Sequence, residues 1–240
     1  MCGRFTLTVH KLGDVAEEVA AFVDADDAST YRPRFNIAPT SRHWIVRLEA
    51  GRRELVPAHW GLVNSWAKDR SVGSKQFNAR GETVAVKPAF RAAFLARRCV
   101  VPVDGFYEWR GPKTARSPVW FHAPDRSLVW LAGLYEVWTE PVTGELLPSF
   151  TLITTSANEL VAPIHDRMPV LLDAAGIEAW LDTSGPHARD AGTLLVPAPS
   201  NALAFFPVSR RVNTVRDDDA GLLEPEVEAL SPQLGLRFSG

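Results

Sequence analysis

The sequence predicts an α+β fold: a single domain over residues 1–240, built around a curved or barrel-like antiparallel sheet with flanking helices. Three observations lead there. Short β-branched and aromatic runs, separated by Gly, Pro and Asp, dominate the middle of the chain. Helical periodicity is confined to a few segments. The two kinds of segment do not alternate as βαβ units, which argues against a doubly wound sheet.

Taken in order, the first periodic segment is Lys11–Phe22, where Leu12, Val15, Ala16, Val19 and Phe22 share one helical face. Asp24–Ser29 is polar and acidic and reads as a loop. Trp44–Leu48 and Leu55–Trp60 read as strands joined through Gly51-Arg52-Arg53. A second helix follows Lys87-Pro88, where proline suits a first turn, and runs to about Arg98. Strand-like runs follow at Cys99–Val103, Val119–His122, Val129–Tyr135 and Phe150–Thr155. Ala174–Leu181 reads as a short helix and Leu203–Val208 as a late strand. The tail, 217–240, opens on Asp217-Asp218-Asp219, carries scattered prolines and reads as irregular. No repeat or linker divides the chain.

Composition narrows the function classes. Hydrophobic residues make up 46% and charged residues 22%, as in soluble globular proteins. No apolar run is long enough to span a membrane, and the start lacks the basic and apolar regions of a signal peptide. Two cysteines, Cys2 and Cys99, make no disulfide framework, so a reducing, cytoplasmic setting is expected. Cys99 opens an apolar strand and reads as a buried structural thiol. No metal-ligand spacing and no Gly-rich phosphate loop occurs, so neither metal nor cofactor is expected. Residues 1–120 hold 19 Lys/Arg against 12 Asp/Glu, and the remainder 7 against 16. Either a basic face meets a polyanion, or the fold interleaves the halves and no patch survives.

The chemistry starts at Cys2. A small second residue permits removal of Met1, which leaves an α-amine and a thiol on adjacent carbons. The amine, with a reference pKa of about 7.7–8.0, is partly neutral near pH 7 and can form a Schiff base with an aldehyde. The thiol can then close onto the imine carbon to give a thiazolidine, with an effective concentration on the order of 10⁵ M or more. Gly3 permits close approach of a substrate to the backbone.

Six segments carry more: MCGRF at 1–5, FNIAP at 35–39 with WGL at 60–62, NARGET at 78–83, GFYEW at 105–109, HDRMP at 165–169 and PVSRRVN at 207–213. On these, in order along nearly the whole chain, the sequence resembles the SOS-response-associated peptidase (SRAP) family, abasic-site processing proteins that crosslink to single-stranded DNA. The resemblance implies that Cys2 forms the thiazolidine with the ring-opened sugar of an abasic site. It implies that Asn78 positions the N-terminal residue or the sugar, that Glu108 moves protons during Schiff-base formation, and that His165 assists ring opening or reversal. Arg80 and Arg167 match phosphate-holding positions, with a structural ion pair as the alternative for each. Trp66 and Trp109 match segments that touch DNA, and Arg4 is counted with them. The implied partner is single-stranded DNA containing abasic sites. The implied protein is a monomer, cytoplasmic and nucleoid-associated during DNA damage.

One segment departs from the family. Where x-Pro-x-Trp-Trp is common, this chain has Val63-Asn64-Ser65-Trp66-Ala67. Asn64 is expected to loosen the loop, and Ala67 removes one ring, which bears on affinity and junction preference. Three other readings compete. Cys2, His165 and Glu108 also make the list of a peptidase or autopeptidase. A glutamine amidotransferase of the N-terminal-nucleophile kind also begins Met-Cys-Gly, but its Asn-Gly oxyanion segment is missing. A non-catalytic DNA-binding module explains the arginines and aromatics but not Cys2 with Glu108 and His165.

Overall fold

A computed structural model describes residues 2–226 except 113, 186, 187 and 189. The expectations for Met1 and for residues 227–240 lie outside the described residues. In chain order the elements are β1 (Phe5–Leu7), α1 (Leu12–Glu18), α2 (Ala25–Ser29), β2 (Arg34–Ile37), β3 (Arg42–Glu49), β4 (Arg52–Trp60), β5 (Asn78–Arg80), α3 (Gly81–Val84), α4 (Arg91–Ala96), β6 (Arg98–Val103), β7 (Gly105–Arg110), β8 (Ser117–His122), β9 (Val129–Thr139), β10 (Leu146–Ser156), β11 (Arg167–Pro169), β12 (Leu171–Leu172), α5 (Ala174–Leu181) and β13 (Ala204–Pro207).

Five long strands close a barrel. β4 pairs with β3, β3 with β6, β6 with β9 and β9 with β10, all antiparallel. The closing seam is parallel, with Ser149 opposite His59 and Phe150 opposite Trp60. The sheet is therefore barrel-like as expected, but mixed. Every residue of β6 is buried, the pattern of a strand covered on both faces. Outside it α5 presents Ile177, Trp180 and Leu181, and the Trp180 indole N–H donates to the Cys99 carbonyl at 2.9 Å. Cys99 is fully buried there.

A second, antiparallel sheet has the order β13-β8-β7-β1-β2. It packs on the barrel through Phe5, whose ring lies 4.5 Å from Trp60 and 4.6 Å from His43, centroid to centroid. His43 is buried, and burial pulls its pKa down to about 3, so the ring is neutral. Its Nε2–H donates to the Pro102 carbonyl at 2.8 Å. Strands of the second half pair with strands of the first, β10 with β4 and β9 with β6. The two oppositely charged halves are thus interleaved.

Some boundaries differ from the sequence reading for local reasons. Helix α1 stops at Glu18 because Ala20 adopts a left-handed backbone (φ +50°) and Phe22 turns into a β-bridge with Glu54. The Asp24–Ser29 segment is a short helix, because the Asp24 carboxylate caps the Asp26 and Asp27 amides. The helix expected after Pro88 begins at Arg91, and Lys87–Phe90 forms the turn that leads into it. Between 217 and 226 the chain forms one 3-10 turn, Ala220–Leu223. No helix among the described residues is long and apolar enough to cross a membrane.

The switch from barrel to second sheet passes through Asp104 and Gly105. The buried Asp104 carboxylate accepts hydrogen bonds from the Thr6 hydroxyl and from the Thr8 amide and hydroxyl. At Gly105 a Cβ would lie 2.4 Å from the Trp120 ring and 2.5 Å from the Phe121 carbonyl. Gly105→Ala is therefore expected to cost about 3 kcal/mol, read as a lower urea midpoint and a melting temperature reduced by roughly 6–12 °C.

Candidate active site

The site is assembled by strand register. In β1, Phe5 pairs with Phe106 and with Ile37, so the strand is held on both edges. The Tyr107 amide donates to the Arg4 carbonyl at 2.9 Å, which extends the pairing toward the N-terminus and brings Gly3 and Cys2 alongside Glu108. From the barrel side, β5 pairs in parallel with β10, with Asn78 opposite Leu152 and Arg80 opposite Thr154. The Asn78 amide then donates to the Cys2 carbonyl at 2.7 Å.

Cys2 is fully buried. Burial pushes its thiol up, and the Glu108 carboxylate adds to the shift, so the thiol is protonated at neutral pH. The Cys2 Sγ lies 3.9 Å from the Arg4 carbonyl. Glu108 is 3% exposed. Burial raises its carboxyl above the usual range, opposed by the positive charges of His165 and Arg116. Asn78 and Glu108 are thus brought to Cys2, and the charge of His165 acts on the Glu108 carboxyl. The Asn78 Oδ1 is buried and has no hydrogen-bond partner among the described residues, so an acceptor remains open beside the Cys2 backbone.

His165 lies just before β11. Its Nδ1 accepts from the Arg167 amide at 3.0 Å, which puts the proton of the neutral ring on Nε2. Asp166 Oδ1 is also 3.0 Å from Nδ1 and is the partner for the protonated ring. Backbone thus sets the tautomer of the neutral ring.

The arginines divide. Arg80 is exposed on β5. Arg167 forms a two-pronged ion pair with Glu82 and donates to the Thr154 carbonyl at 2.7 Å. Arg4 donates to Asn36 Oδ1 at 2.5 Å and to the Val212 carbonyl at 2.7 Å, and its guanidinium carbon lies 5.8 Å from the centre of the Trp109 ring. In this structure Arg4 and Arg167 are therefore both engaged inside the protein, although the Nε of each is buried without a hydrogen-bond partner among the described residues. Trp109 is half-buried, with its indole N–H donated to Asn213 at 2.7 Å, whereas Trp66 is 69% exposed. Among the described residues no group of three or more His, Cys, Asp or Glu side chains is arranged to hold a metal ion.

Asn36 is a site residue that the sequence reading misses. It is fully buried and donates to the carbonyls of Val212, Thr214 and Asp217 while accepting from Arg4. Its signal lies in FNIAP: a polar amide at a position where the strand faces the interior. The departure at Asn64 has the opposite effect to the one expected. Asn64 is buried and its amide donates to the Ala89 carbonyl at 2.7 Å, which ties the loop down. Ala67 is buried too, with its carbonyl accepting from the Trp138 indole at 2.8 Å.

The Glu82–Arg167 pair makes a stability prediction. The Arg167 hydrogen bond holds the Glu82 carboxyl below its usual range. A depressed folded-state value stabilises above the unfolded value, about 4.3, and that stability is lost as pH falls through the folded one. Glu82 is half-exposed, so Arg167→Ala should cost only about 1 kcal/mol at pH 7. In urea denaturation the gap from wild type should narrow below pH ~4. A gap that does not change with pH would contradict the pairing.

Comparison with known proteins identifies relatives of the whole chain. The family model for "SOS response associated peptidase (SRAP)" matches residues 1–215. The chain is 36% identical over 228 residues to the abasic site processing protein YoqW of Bacillus subtilis (strain 168), covering 93% of this chain and 99% of that one. It is 34% identical over 226 residues to the abasic site processing protein HMCES of Gallus gallus, covering 81% of this chain and 67% of that one. The fold matches the crystal structure of a protein from Bacteroides thetaiotaomicron with a TM-score of 0.83 at 24% identity, over 94% of this chain and 100% of that one. A buried Cys2 tied to Asn78 and set beside Glu108, a family match over most of the chain and relatives above 30% identity lead to one conclusion: the chain belongs to the SOS response associated peptidase (SRAP) family.

Proposed function

We propose that this protein processes abasic sites in single-stranded DNA by linking covalently to them through Cys2 once Met1 has been removed, and so shields the lesion. The observation that carries this reading is the burial of the Cys2 thiol beside the Glu108 carboxyl, with the Cys2 carbonyl held by Asn78. The relatives' name, abasic site processing protein, points the same way.

The chemistry runs in two steps. The α-amine of Cys2 adds to the C1′ aldehyde of the opened sugar, and loss of one water leaves an iminium. Glu108, raised by burial, is able to deliver a proton to the departing hydroxyl. The thiol is held neutral at rest, but the new cation on the neighbouring nitrogen reverses the local field and favours the thiolate. Sulfur then adds to the iminium carbon, the thiol proton passes to Glu108, and the thiazolidine nitrogen is neutral. Thiol closure takes the Schiff base away from β-elimination, which would cut the strand. His165, with Nε2–H in its neutral form, is placed by its chemistry to donate to the ring oxygen of the closed sugar.

Arg80 and the exposed Trp66 are the DNA contacts this reading favours, a phosphate fork and a stacking ring. Trp109 adds a second ring. Arg4 and Arg167 serve through their partners, Arg4 behind Trp109 and Arg167 through its ion pair with Glu82. A protein acting this way works as a monomer at the nucleoid. The peptidase reading is weaker, because a thiol protease needs a thiol pushed down toward the thiolate, and here burial pushes it up.

Cys2→Ala should give no covalent product with an abasic oligonucleotide on a denaturing gel; a product of wild-type yield would contradict the reading. Glu108→Gln should slow the link about 100-fold. Because the Glu108 carboxyl is raised, the wild-type rate should hold above the usual carboxylate range and then fall with rising pH as the proton is lost, a limb that Glu108→Gln removes.

A further inference from the structure

Beside Trp109 the surface opens into a cavity of about 460 Å³, lined by Trp109, Thr114, Ala115, Arg116, Arg210 and Asn213. Among these described residues are two guanidinium groups and no carboxylate. The neighbouring Arg211 is different: it is ion-paired with Asp217 and Asp219. Arg210 makes a hydrogen bond to a neutral group, donating to the Ser117 hydroxyl at 3.2 Å, and this sets its head against the strand that bears Arg116's loop. Both Arg116 and Arg210 are exposed side chains.

The wall of the cavity is a fixed ring. Trp109 is held by Asn213 at its indole N–H and by the Arg4 guanidinium against its π-face. Trp109 and Glu108 are consecutive on β7 and so face opposite sides of the sheet, and the charge of Arg116 at the cavity is felt at the Glu108 carboxyl. A pair of guanidinium forks in a lining free of carboxylates suits a phosphate, and an immobilised indole beside them suits a sugar or base. The volume is that of a nucleotide-sized fragment, and the lining is too polar for an apolar ligand.

We propose that this cavity is a phosphate subsite, in which Arg116 and Arg210 clasp one phosphodiester of the nucleotide adjoining the lesion while Trp109 packs on its sugar or base. The proposal rests on the abasic-site reading for the identity of the strand. It adds two residues that fix where the strand leaves the Cys2 centre.

The test is binding of an undamaged single-stranded oligonucleotide, measured by fluorescence anisotropy across a salt series. The double variant Arg116→Ala/Arg210→Ala should bind at least tenfold more weakly, and its log–log salt slope should fall by about 0.7 for the lost phosphate contact. Arg116→Lys/Arg210→Lys should recover most of the slope, since a charge is restored, but less of the affinity, since the fork is not. Unchanged affinity and slope in the alanine variant would overturn the proposal. If that variant fails to fold by circular dichroism, Arg116→Glu, a single change at an exposed position, replaces it: weaker binding with a reduced slope supports the subsite, and wild-type binding overturns it. Undamaged DNA judges the cavity whether or not the wild-type protein crosslinks. The abasic-site reading fails separately, on absence of a covalent product.

Discussion

The site depends on the pinning of a three-residue strand. Phe5–Leu7 is too short to hold a conformation alone, and it does so because β2 and β7 pair with both its edges while Phe5 packs on Trp60 in the barrel. Once Phe5 is fixed opposite Phe106, the pairing continues through Arg4 and Tyr107 and brings Gly3 opposite Glu108, with Cys2 one residue beyond. The barrel supplies the other half. β10 pairs with β4 and β5 along one edge and with β9 and β11 along the other. It thereby brings Asn78 and the His165–Arg167 segment to the same place.

Burial gives that register its chemical meaning. A thiol and a carboxyl enclosed together each resist ionisation, the thiol because of the enclosure and the carboxylate beside it. Such a pair is stable as two neutral groups and responds sharply to a positive charge formed between them. An iminium on the Cys2 nitrogen is such a charge. The polar groups around the pair are mostly satisfied from within: Asp104 by Thr6 and Thr8, Arg4 by Asn36 and Val212, Arg167 by Glu82 and Thr154. Among the described residues the Asn78 Oδ1, next to the backbone that would carry the new bond, is left open, as are the Nε atoms of Arg4 and Arg167.

The long apolar strands were legible in the sequence because a covered strand needs a continuous apolar run, as in Cys99–Val103 and Phe150–Thr155. The short ones were not. Phe5–Leu7, Arg34–Ile37, Asn78–Arg80 and Arg167–Pro169 have too few residues for a period, and their state is set by partners far along the chain. The same limit applied to side chains. The four groups at the centre could be named from their motifs. What Arg4 and Arg167 touch could not, since Val212 lies 208 residues from Arg4 and Glu82 lies 85 from Arg167. Asn64 is the sharpest case: in sequence it reads as a loosened turn, and in space its amide finds the carbonyl of Ala89. The parallel seam between β4 and β10 was hidden for a related reason, because strand direction follows from closure of the barrel rather than from any local pattern.

The central claim concerns which atoms join, and intact mass spectrometry reads that directly. The protein would be mixed with a single-stranded oligonucleotide carrying one abasic site, and the product digested to map the point of attachment. The expected species lacks Met1 and carries the oligonucleotide at Cys2 with the loss of one water. A protein mass without the oligonucleotide, or an adduct on an internal lysine with Cys2 unmodified, would contradict it.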